Sequence, residues 1–193
     1  MAPKLILTGF MATGKSAVGR AVAARLGWHL VDSDAELVAR AGKPIPEIFA
    51  EHGEAEFRAL EREVIAALAN DPARCPQCGE PRPAVISTGG GALVDERNYT
   101  ELRRAGVIIC LRARPEVIAT RVRRSRHARP KLLEGDKPLE ARIAQLMEER
   151  RAAYARADFT VDTSDLSVGE SAERVLEIFG RHGRSAHRCG PSA

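Results

Sequence analysis

Short apolar runs alternate with longer stretches of helical periodicity along most of the chain. Five apolar runs predict strands, over residues 4–8, 28–31, 84–87, 106–111 and 159–161. Helical patterns predict helices over residues 15–26, 35–41, 46–70, 95–105, 138–156 and 168–179, with another helix opening at Pro115 and a weak point at Gly53. Strands and helices in this order predict an α/β fold built from right-handed parallel βαβ units.

Length and composition bound the class of protein. The 193 residues favour one domain, which we predict to span residues 1–180, and residues 181–193 have no apolar period and are predicted to be a disordered tail. No apolar run approaches the length of a membrane span, and the first strand leaves no room for a signal peptide. We therefore expect a cytoplasmic protein with no membrane partner, in which the four cysteines are mostly reduced.

The strongest motif follows the first strand. Residues 9–16 fit G-x-x-x-x-G-K-[ST], the phosphate-binding loop or P-loop. Gly9 and Gly14 allow the loop to turn its N–H groups inward, and the following helix adds its positive dipole end. Lys15 is expected to reach the β- and γ-phosphates and Ser16 to hold Mg²⁺. The residues expected to bind ATP here are Ala12, Thr13, Gly14, Lys15, Ser16 and Ala17.

Two carboxylates follow the second predicted strand, in the sequence Asp32-Ser33-Asp34. Ligands of parallel sheets gather beyond the carboxyl ends of the strands, so both carboxylates are expected on the P-loop side. Because they are two residues apart, one can face the metal and the other a second substrate. The alternative is that Ser33 or Asp34 only caps the helix that begins near Ala35.

Two other stretches carry candidate binding groups. Arg58, on the long helix, could hold a carboxylate or phosphate on its guanidinium fork, or could form a surface salt bridge to Glu54 or Glu61. The glycines at positions 89–91 follow the third predicted strand and would let a substrate approach the backbone closely. A plain flexible turn is the alternative for these glycines.

Residues 112–131 are strongly basic, with eight arginines and lysines against the single acid Glu116. Such a run is typical of a solvated face or a nucleic-acid patch, and beside a P-loop it also fits a mobile lid over polyphosphate. The net charge of +4 suits either nucleic acid or a site for small anions, but the chain has no accompanying pattern of aromatic residues for base stacking. We therefore expect no nucleic-acid partner.

Taken together, these motifs resemble the shikimate kinase family from about Lys4 to Val161. The resemblance rests on the P-loop, Asp32-Ser33-Asp34, Phe57-Arg58 with Glu61, Thr88 with the three glycines, Arg129-Pro130 before Leu132-Leu133, and Leu146-Met147 followed by Arg150 and Tyr154. It implies a P-loop, nucleoside-monophosphate-kinase-like fold, with a five-stranded parallel sheet in the order 2-3-1-4-5 and helices on both faces. It also implies transfer of the ATP γ-phosphate to the 3-hydroxyl of shikimate, a step of chorismate and aromatic amino acid biosynthesis.

The resemblance implies a role for each residue on the acceptor side, in a substrate-binding segment over about residues 33–61. Asp32 would orient water on Mg²⁺, and Asp34 would bind the substrate hydroxyls and act as the candidate base. Arg58 and Arg150 would hold the shikimate carboxylate. The glycines that would line this site are Gly89, Gly90 and Gly91.

On the donor side, the resemblance implies a lid over about residues 121–137. Arg129 would reach the phosphates from this lid and would form the catalytic group with Lys15 and Asp34. A second lid arginine would stack on adenine, and we favour Arg121 over Arg123 for this role. Lys131 interrupts the usual Arg-Pro-Leu-Leu, which leaves the setting of the lid open.

The loop over about residues 71–83 looks like an insertion and contains Cys75-Pro-Gln-Cys78. This spacing resembles half of a zinc knuckle, but a structural site needs four ligands, and neither Cys110 nor Cys189 is an evident partner. A reduced surface loop is therefore favoured over a zinc site.

Two alternative functions stay open. One is a P-loop kinase of the same fold with another acceptor, such as gluconate or a nucleotide, against which the carboxylates and the glycine triplet argue. The other is a nucleotide-dependent nucleic-acid-binding protein, which would show salt-dependent binding to RNA or DNA. We expect a monomer whose partners are shikimate and ATP.

Overall fold

The fold is described from a computed structural model, which covers residues 3–70, 82–124 and 138–182. The strands are β1 (Lys4–Thr8), β2 (His29–Asp32), β3 (Ala84–Ser87), β4 (Gly106–Arg112) and β5 (Phe159–Asp162). The helices are α1 (Lys15–Leu26), α2 (Ser33–Ala41), α3 (Ile45–Asn70), α4 (Glu96–Ala105), α5 (Pro115–Arg124), α6 (Leu139–Glu149), α7 (Arg151–Tyr154) and α8 (Val168–His182), with a 3₁₀ helix (Ala92–Val94) before α4.

The five strands form one parallel sheet in the order β2-β3-β1-β4-β5, which confirms the predicted fold class and strand order. The central strand β1 is apolar on both faces because helices cover both sides of the sheet. Leu5 and Leu7 pack with α1 and α8 on one face, and Ile6 packs with α3 and α4 on the other. All three side chains are fully buried, so the core lies directly beneath the P-loop.

This strand order places the P-loop at a topological switch point. The chain leaves β1 toward β2 and β3 on one side, and later crosses to β4 and β5 on the other. The loops after β1, β2 and β3 therefore open into one crevice at the carboxyl ends of neighbouring strands, where ligands of such sheets bind. The P-loop and the glycine triplet lie on two of these connections, and the two carboxylates lie where β2 ends and α2 begins.

Helix α2 begins two residues earlier than predicted. The Asp32 carboxylate accepts hydrogen bonds from the backbone N–H groups of Asp34 (3.1 Å) and Ala35 (3.5 Å), so Asp32 is the N-cap residue. The capping role that the sequence offered to Ser33 or Asp34 therefore belongs to Asp32. Asp34 lies in the first turn of the helix, where its side chain is available to the crevice.

Two predicted helices differ from the structure. The helix predicted over residues 138–156 is interrupted at Arg150 (φ −102°, ψ 1°), which separates α6 from α7. Helix α8 continues to His182, so residues 181–182 of the predicted tail are helical, and residues 183–193 lie outside the described residues. The predicted weak point at Gly53 is confirmed as a kink with φ 75° and ψ −178°.

In the three described ranges of the chain, no helix is both long and apolar enough to cross a membrane.

Candidate active site

The P-loop forms a cradle of unusual backbone conformations. Gly9 (φ 129°) and Gly14 (φ 99°) occupy the region that favours glycine, and Ala12 (φ 61°) occupies it without being glycine. A Cβ atom at Gly9 would lie 2.0 Å from the backbone oxygen of Leu111, so a side chain cannot fit there. Helix α1 begins at Lys15 directly after the loop and points its first N–H groups into the crevice, as an anion site requires.

Two P-loop side chains lie where a nucleotide phosphate and its metal would bind. The Lys15 Nζ atom donates hydrogen bonds to the backbone oxygens of Gly9 and Phe10, both at 2.9 Å, and so lies over the loop. The Ser16 hydroxyl donates to Asp32 Oδ2 at 2.7 Å. A hydroxyl and a carboxylate oxygen are hard ligands, which suit a Mg²⁺ ion that keeps water and phosphate oxygens as its other ligands.

Among the described residues, no group of three or more His, Cys, Asp or Glu side chains could hold a metal ion. Ser16 and Asp32 bring two protein oxygens together, which suits a Mg²⁺ ion that takes its other ligands from water and phosphate. A cleft of about 270 Å³ lies over this pair. Its walls are Ala12, Gly14, Lys15, Ser16 and Ala17 on the P-loop side and Asp32, Asp34 and Gly90 on the opposite side.

Asp34 has the electrostatics of a proton acceptor that works near neutral pH. Burial, followed by the negative charge of Asp32, raises the pKa of the Asp34 carboxyl from 3.8 to about 6, against the opposing effect of Lys15. A base is most effective when its pKa lies close to the working pH. Its position in the cleft wall would bring it against an acceptor placed beside the γ-phosphate.

The glycine triplet at positions 89–91 packs against the residues predicted to bind the acceptor. Cβ atoms at these three positions would lie 2.6 Å from Asp34 Oδ1, 3.7 Å from Arg150 Nη1 and 2.9 Å from Arg58 Nη1, in chain order. Side chains at the first and third positions would displace a charged group, so glycine has a specific reason to be there. This geometry favours a substrate-lining turn over a plain flexible one.

Arg58 makes both of the ion pairs that the sequence offered as an alternative role. Its guanidinium donates to Glu61 Oε2 at 2.7 Å and to Glu54 Oε1 at 3.1 Å. Burial alone would lower the pKa of Arg58, but the charges and hydrogen bonds of Glu61 and Glu54 together outweigh this and raise the pKa. Because Glu61 is only 4% exposed, the pair fixes the guanidinium beside Gly91 rather than on an open surface.

The break between α6 and α7 directs two side chains at one backbone oxygen of the triplet. Arg150 donates to the oxygen of Gly90 at 3.1 Å, and the Tyr154 hydroxyl donates to the same atom at 2.6 Å. The guanidinium of Arg150 also lies over the Phe10 ring of the P-loop, 5.6 Å from its centroid. Arg150 therefore links the P-loop to the glycine triplet.

The sequence offered Ser33 only as a possible helix cap and did not single out Thr163. The backbone N–H of Gly89 donates to the Ser33 hydroxyl at 2.9 Å, which ties the triplet to the first turn of α2. The Thr163 hydroxyl reaches the backbone oxygen of Thr13 at 3.0 Å, a contact across 150 positions of the chain. The signal for Ser33 was its place between two site carboxylates, whereas nothing local in the sequence marks Thr163.

The two candidates for the adenine contact lie in different places. Arg121 donates to the backbone oxygen of Ala12 at 3.3 Å and to both oxygens of Thr163, beside the P-loop. Arg123 forms an exposed ion pair with Glu140 of α6. The preference for Arg121 over Arg123 agrees with this placement, and stacking on adenine stays a prediction.

Several predicted residues lie outside the described ranges. Arg129 and Lys131 belong to the lid, and Cys75 and Cys78 belong to the inserted loop; nothing in the structure describes them. Their roles stay predictions.

Comparison with known proteins gives three findings. The shikimate kinase family model matches residues 11–179 of this chain. A shikimate kinase of Geobacter metallireducens is 46% identical over 176 residues, which are 91% of this chain and 89% of the relative. The solved structure of a shikimate kinase from Acinetobacter baumannii in complex with shikimate matches with a TM-score of 0.82 at 28% identity, covering 95% of this chain and 97% of that one.

A gluconokinase from Sinorhizobium meliloti matches at a lower level. Its solved structure gives a TM-score of 0.58 at 18% identity, covering 93% of each chain. At that identity the likeness shows a shared fold alone, so the fold by itself does not select the acceptor.

Proposed function

The chain belongs to the shikimate kinase family, and on this premise we propose that it transfers the γ-phosphate of ATP to the 3-hydroxyl of shikimate. The observation that carries the proposal is the arrangement of Asp34, Arg58 and Arg150 around the glycine turn at positions 89–91, at the open side of the P-loop. Two guanidinium groups and one carboxylate suit a small acid that also carries hydroxyl groups. The reaction is a step of aromatic amino acid biosynthesis.

The donor half of the site follows from the P-loop. Inward N–H groups, the start of α1 and Lys15 would hold the phosphates of ATP. Ser16 would bind Mg²⁺ directly, and Asp32 would hold it through water. Mg²⁺ would supply neutralisation of the charge on the β- and γ-phosphate oxygens. Phosphoryl transfer requires mainly positioning and charge neutralisation, and these residues are suited to both.

The residues on the shikimate side of the site provide a base for the proton of the 3-hydroxyl. Arg58 and Arg150 would hold the shikimate carboxylate and so present the 3-hydroxyl to the γ-phosphorus. As the hydroxyl oxygen bonds to that phosphorus, Asp34 takes the hydroxyl proton, and the bond from phosphorus to the β–γ bridging oxygen breaks to release ADP. A carboxyl whose pKa is about 6 is ionised at neutral pH and can accept this proton.

The remaining parts of the proposal concern the lid and the assembly. Arg129 would reach the transferred phosphate from the lid, and closure of the lid would exclude water that would otherwise hydrolyse ATP. We propose one domain over residues 1–180 that works as a monomer in the cytoplasm, without zinc or nucleic acid. Light scattering on the purified protein should give the 20.9 kDa of one chain, and a mass of twice that would contradict the monomer.

A coupled assay of ADP release tests the choice of acceptor. With ATP and Mg²⁺ present, we expect ADP release that depends on shikimate and no stimulation by gluconate. The Asp34→Asn variant is the matched negative control, because it keeps the shape of the side chain and removes the base. Stimulation by gluconate alone, with shikimate at the background rate, would overturn the proposal.

A further inference from the structure

The backbone carbonyl oxygens of the P-loop accept hydrogen bonds from several side chains. A loop that turns its N–H groups toward phosphate turns several carbonyl oxygens outward, and these need donors. Within the loop, Lys15 Nζ donates to the oxygens of Gly9 and Phe10, and the Thr13 hydroxyl donates to Phe10 at 2.8 Å. Side chains of the loop itself therefore donate hydrogen bonds to the carbonyl oxygens in its first half.

The second half of the loop is held from outside. The backbone oxygen of Ala12 accepts from Arg121 Nη1 at 3.3 Å, and the backbone oxygen of Thr13 lies 3.0 Å from the Thr163 hydroxyl. Arg121 is on α5, and Thr163 directly follows β5. Two segments far apart in the sequence thus contact two successive peptide groups of the loop, the one after Ala12 and the one after Thr13.

Thr163 is the centre of this contact. It is 2% exposed, and its backbone N–H donates to the oxygen of Arg112 at 2.8 Å, which fixes it to the end of β4. Its backbone oxygen and its hydroxyl oxygen both accept from Arg121, at 2.6 Å and 3.2 Å. The guanidinium of Arg121 is therefore held against the loop by a residue that is itself immobilised.

The single proton of the Thr163 hydroxyl has two acceptors within reach. These are the backbone oxygens of Thr13 at 3.0 Å and Arg112 at 3.1 Å. Arg112 already receives the backbone N–H of Thr163. We therefore assign the hydroxyl proton to Thr13, which leaves the hydroxyl lone pairs to accept from Arg121.

The conformation of Ala12 explains why the loop needs outside support here. A residue with a Cβ atom at φ 61° persists only where its surroundings hold it there. The hydrogen bonds from Arg121 and Thr163 flank this residue on its carbonyl side. Without them, the peptide would be free to rotate and would no longer aim its N–H group at a phosphate.

We propose that Thr163 is a positioning residue for the nucleotide phosphates. Its hydroxyl holds the carbonyl of Thr13, and its two oxygens hold Arg121 on the carbonyl of Ala12. Thr163 acts through these neighbours and need not touch the nucleotide. The inference rests on the nucleotide half of the proposed function and holds for any acceptor.

The test replaces the hydroxyl and leaves the shape of the side chain. In Thr163→Val, we expect the dissociation constant for magnesium pyrophosphate and the KM for ATP to rise about 10-fold, while the dissociation constant for shikimate stays unchanged. Thr163→Ser should restore both, because it returns the hydroxyl. Thr160→Val, the same change at an exposed position of β5, should leave all three constants at wild-type values.

Pyrophosphate is the deciding probe because it carries no adenine. Unchanged pyrophosphate binding in Thr163→Val would overturn the inference, as would an equal loss of pyrophosphate and shikimate binding, which indicates a general structural defect. If the valine variant does not fold, Arg121→Gln takes its place. We expect this variant also to bind pyrophosphate more weakly than the wild type. Unchanged pyrophosphate binding would overturn the inference. Wild-type protein that binds pyrophosphate but does not phosphorylate shikimate would count against the proposed function alone.

Discussion

Asp34, the base that we propose, carries a charge that its buried position makes unfavourable. Its pKa is raised from 3.8 to about 6 by burial and by the charge of Asp32. Between these values the folded protein binds a proton that the unfolded chain has released. The stability from this group is therefore fully present below the unfolded pKa and is lost as the pH rises through about 6.

The pH dependence of turnover should report this carboxyl group. Because we propose that the ionised form of Asp34 accepts the proton, kcat/KM for shikimate is expected to rise as the pH increases through about 6 and then to level off. Steady-state assays at saturating ATP measure this profile. A value of kcat/KM that does not change across this interval would rule out Asp34 as the base.

The same group predicts a gain in stability when it is neutralised. At neutral pH, Asp34→Asn should raise the free energy of unfolding by about 3 kcal/mol, because the buried charge is gone. The gain should vanish at a pH below the unfolded pKa of 3.8, where the wild-type carboxyl is protonated in both states. Urea denaturation at the two pH values measures the difference. A less stable variant at neutral pH would contradict this prediction.

Replacing Arg58 should weaken the binding of shikimate and leave the binding of ATP unchanged. Arg58→Gln is expected to raise the KM for shikimate about 30-fold and to leave the KM for ATP unchanged, because it removes a charged partner of the shikimate carboxylate. Arg62→Gln on the same helix is the matched control, since Arg62 pairs with Asp95 outside the cleft. Equal increases of both KM values in Arg58→Gln would place Arg58 outside the acceptor site.

Among the elements, the glycine turn after β3 brings together the residues that we propose to bind shikimate. Ser33, Tyr154 and Arg150 hold its backbone by hydrogen bonds, so the turn is fixed rather than flexible. Its third member lies against Arg58, whose nearest guanidinium nitrogen would be 2.9 Å from a Cβ atom at Gly91. The position of Arg58 thus depends on the absence of that one carbon atom.

Gly91→Ala tests this dependence. The added methyl group should push the guanidinium away from the turn and raise the KM for shikimate about 10-fold, with the KM for ATP unchanged. Gly180→Ala in α8 is the control, because a Cβ atom there meets nothing within 4 Å and should leave activity intact. Steady-state kinetics measure the KM values for shikimate and ATP in both variants. An unchanged KM for shikimate in Gly91→Ala would show that shikimate binding does not depend on glycine at this position.

The elements also show which features a sequence can reveal. Helical periodicity continues through Arg150, so the pattern predicts one helix where the structure has two. The break is supported by contacts of Arg150 and Tyr154 with Gly90, which lies 60 and 64 positions earlier. Such long-range hydrogen bonds have no local signature. By contrast, β1, the P-loop and α1 are adjacent in the sequence, and an apolar run, one motif and a helical pattern predicted all three.

At the scale of the whole molecule, the parallel sheet determines where the chemistry lies. Periodicity predicted the strands, whereas their order 2-3-1-4-5 came from the resemblance to a family, because strand pairing depends on contacts that no local pattern records. That order brings the ends of β1, β2 and β3 together, and with them the donor loop, the carboxylates and the glycine turn. The lid and the inserted loop stay predictions because they lie outside the described residues.

We propose that one hydroxyl of shikimate, the 3-hydroxyl, receives the phosphate, and the position of the phosphate in the product shows this most directly. After incubation of the protein with ATP, Mg²⁺ and shikimate, proton–phosphorus correlation NMR identifies the carbon that carries the phosphate. We expect a single ester whose phosphorus couples to the proton on carbon 3, with one ADP for each ester formed. Phosphorus on another hydroxyl, or ADP accompanied only by inorganic phosphate, would contradict it.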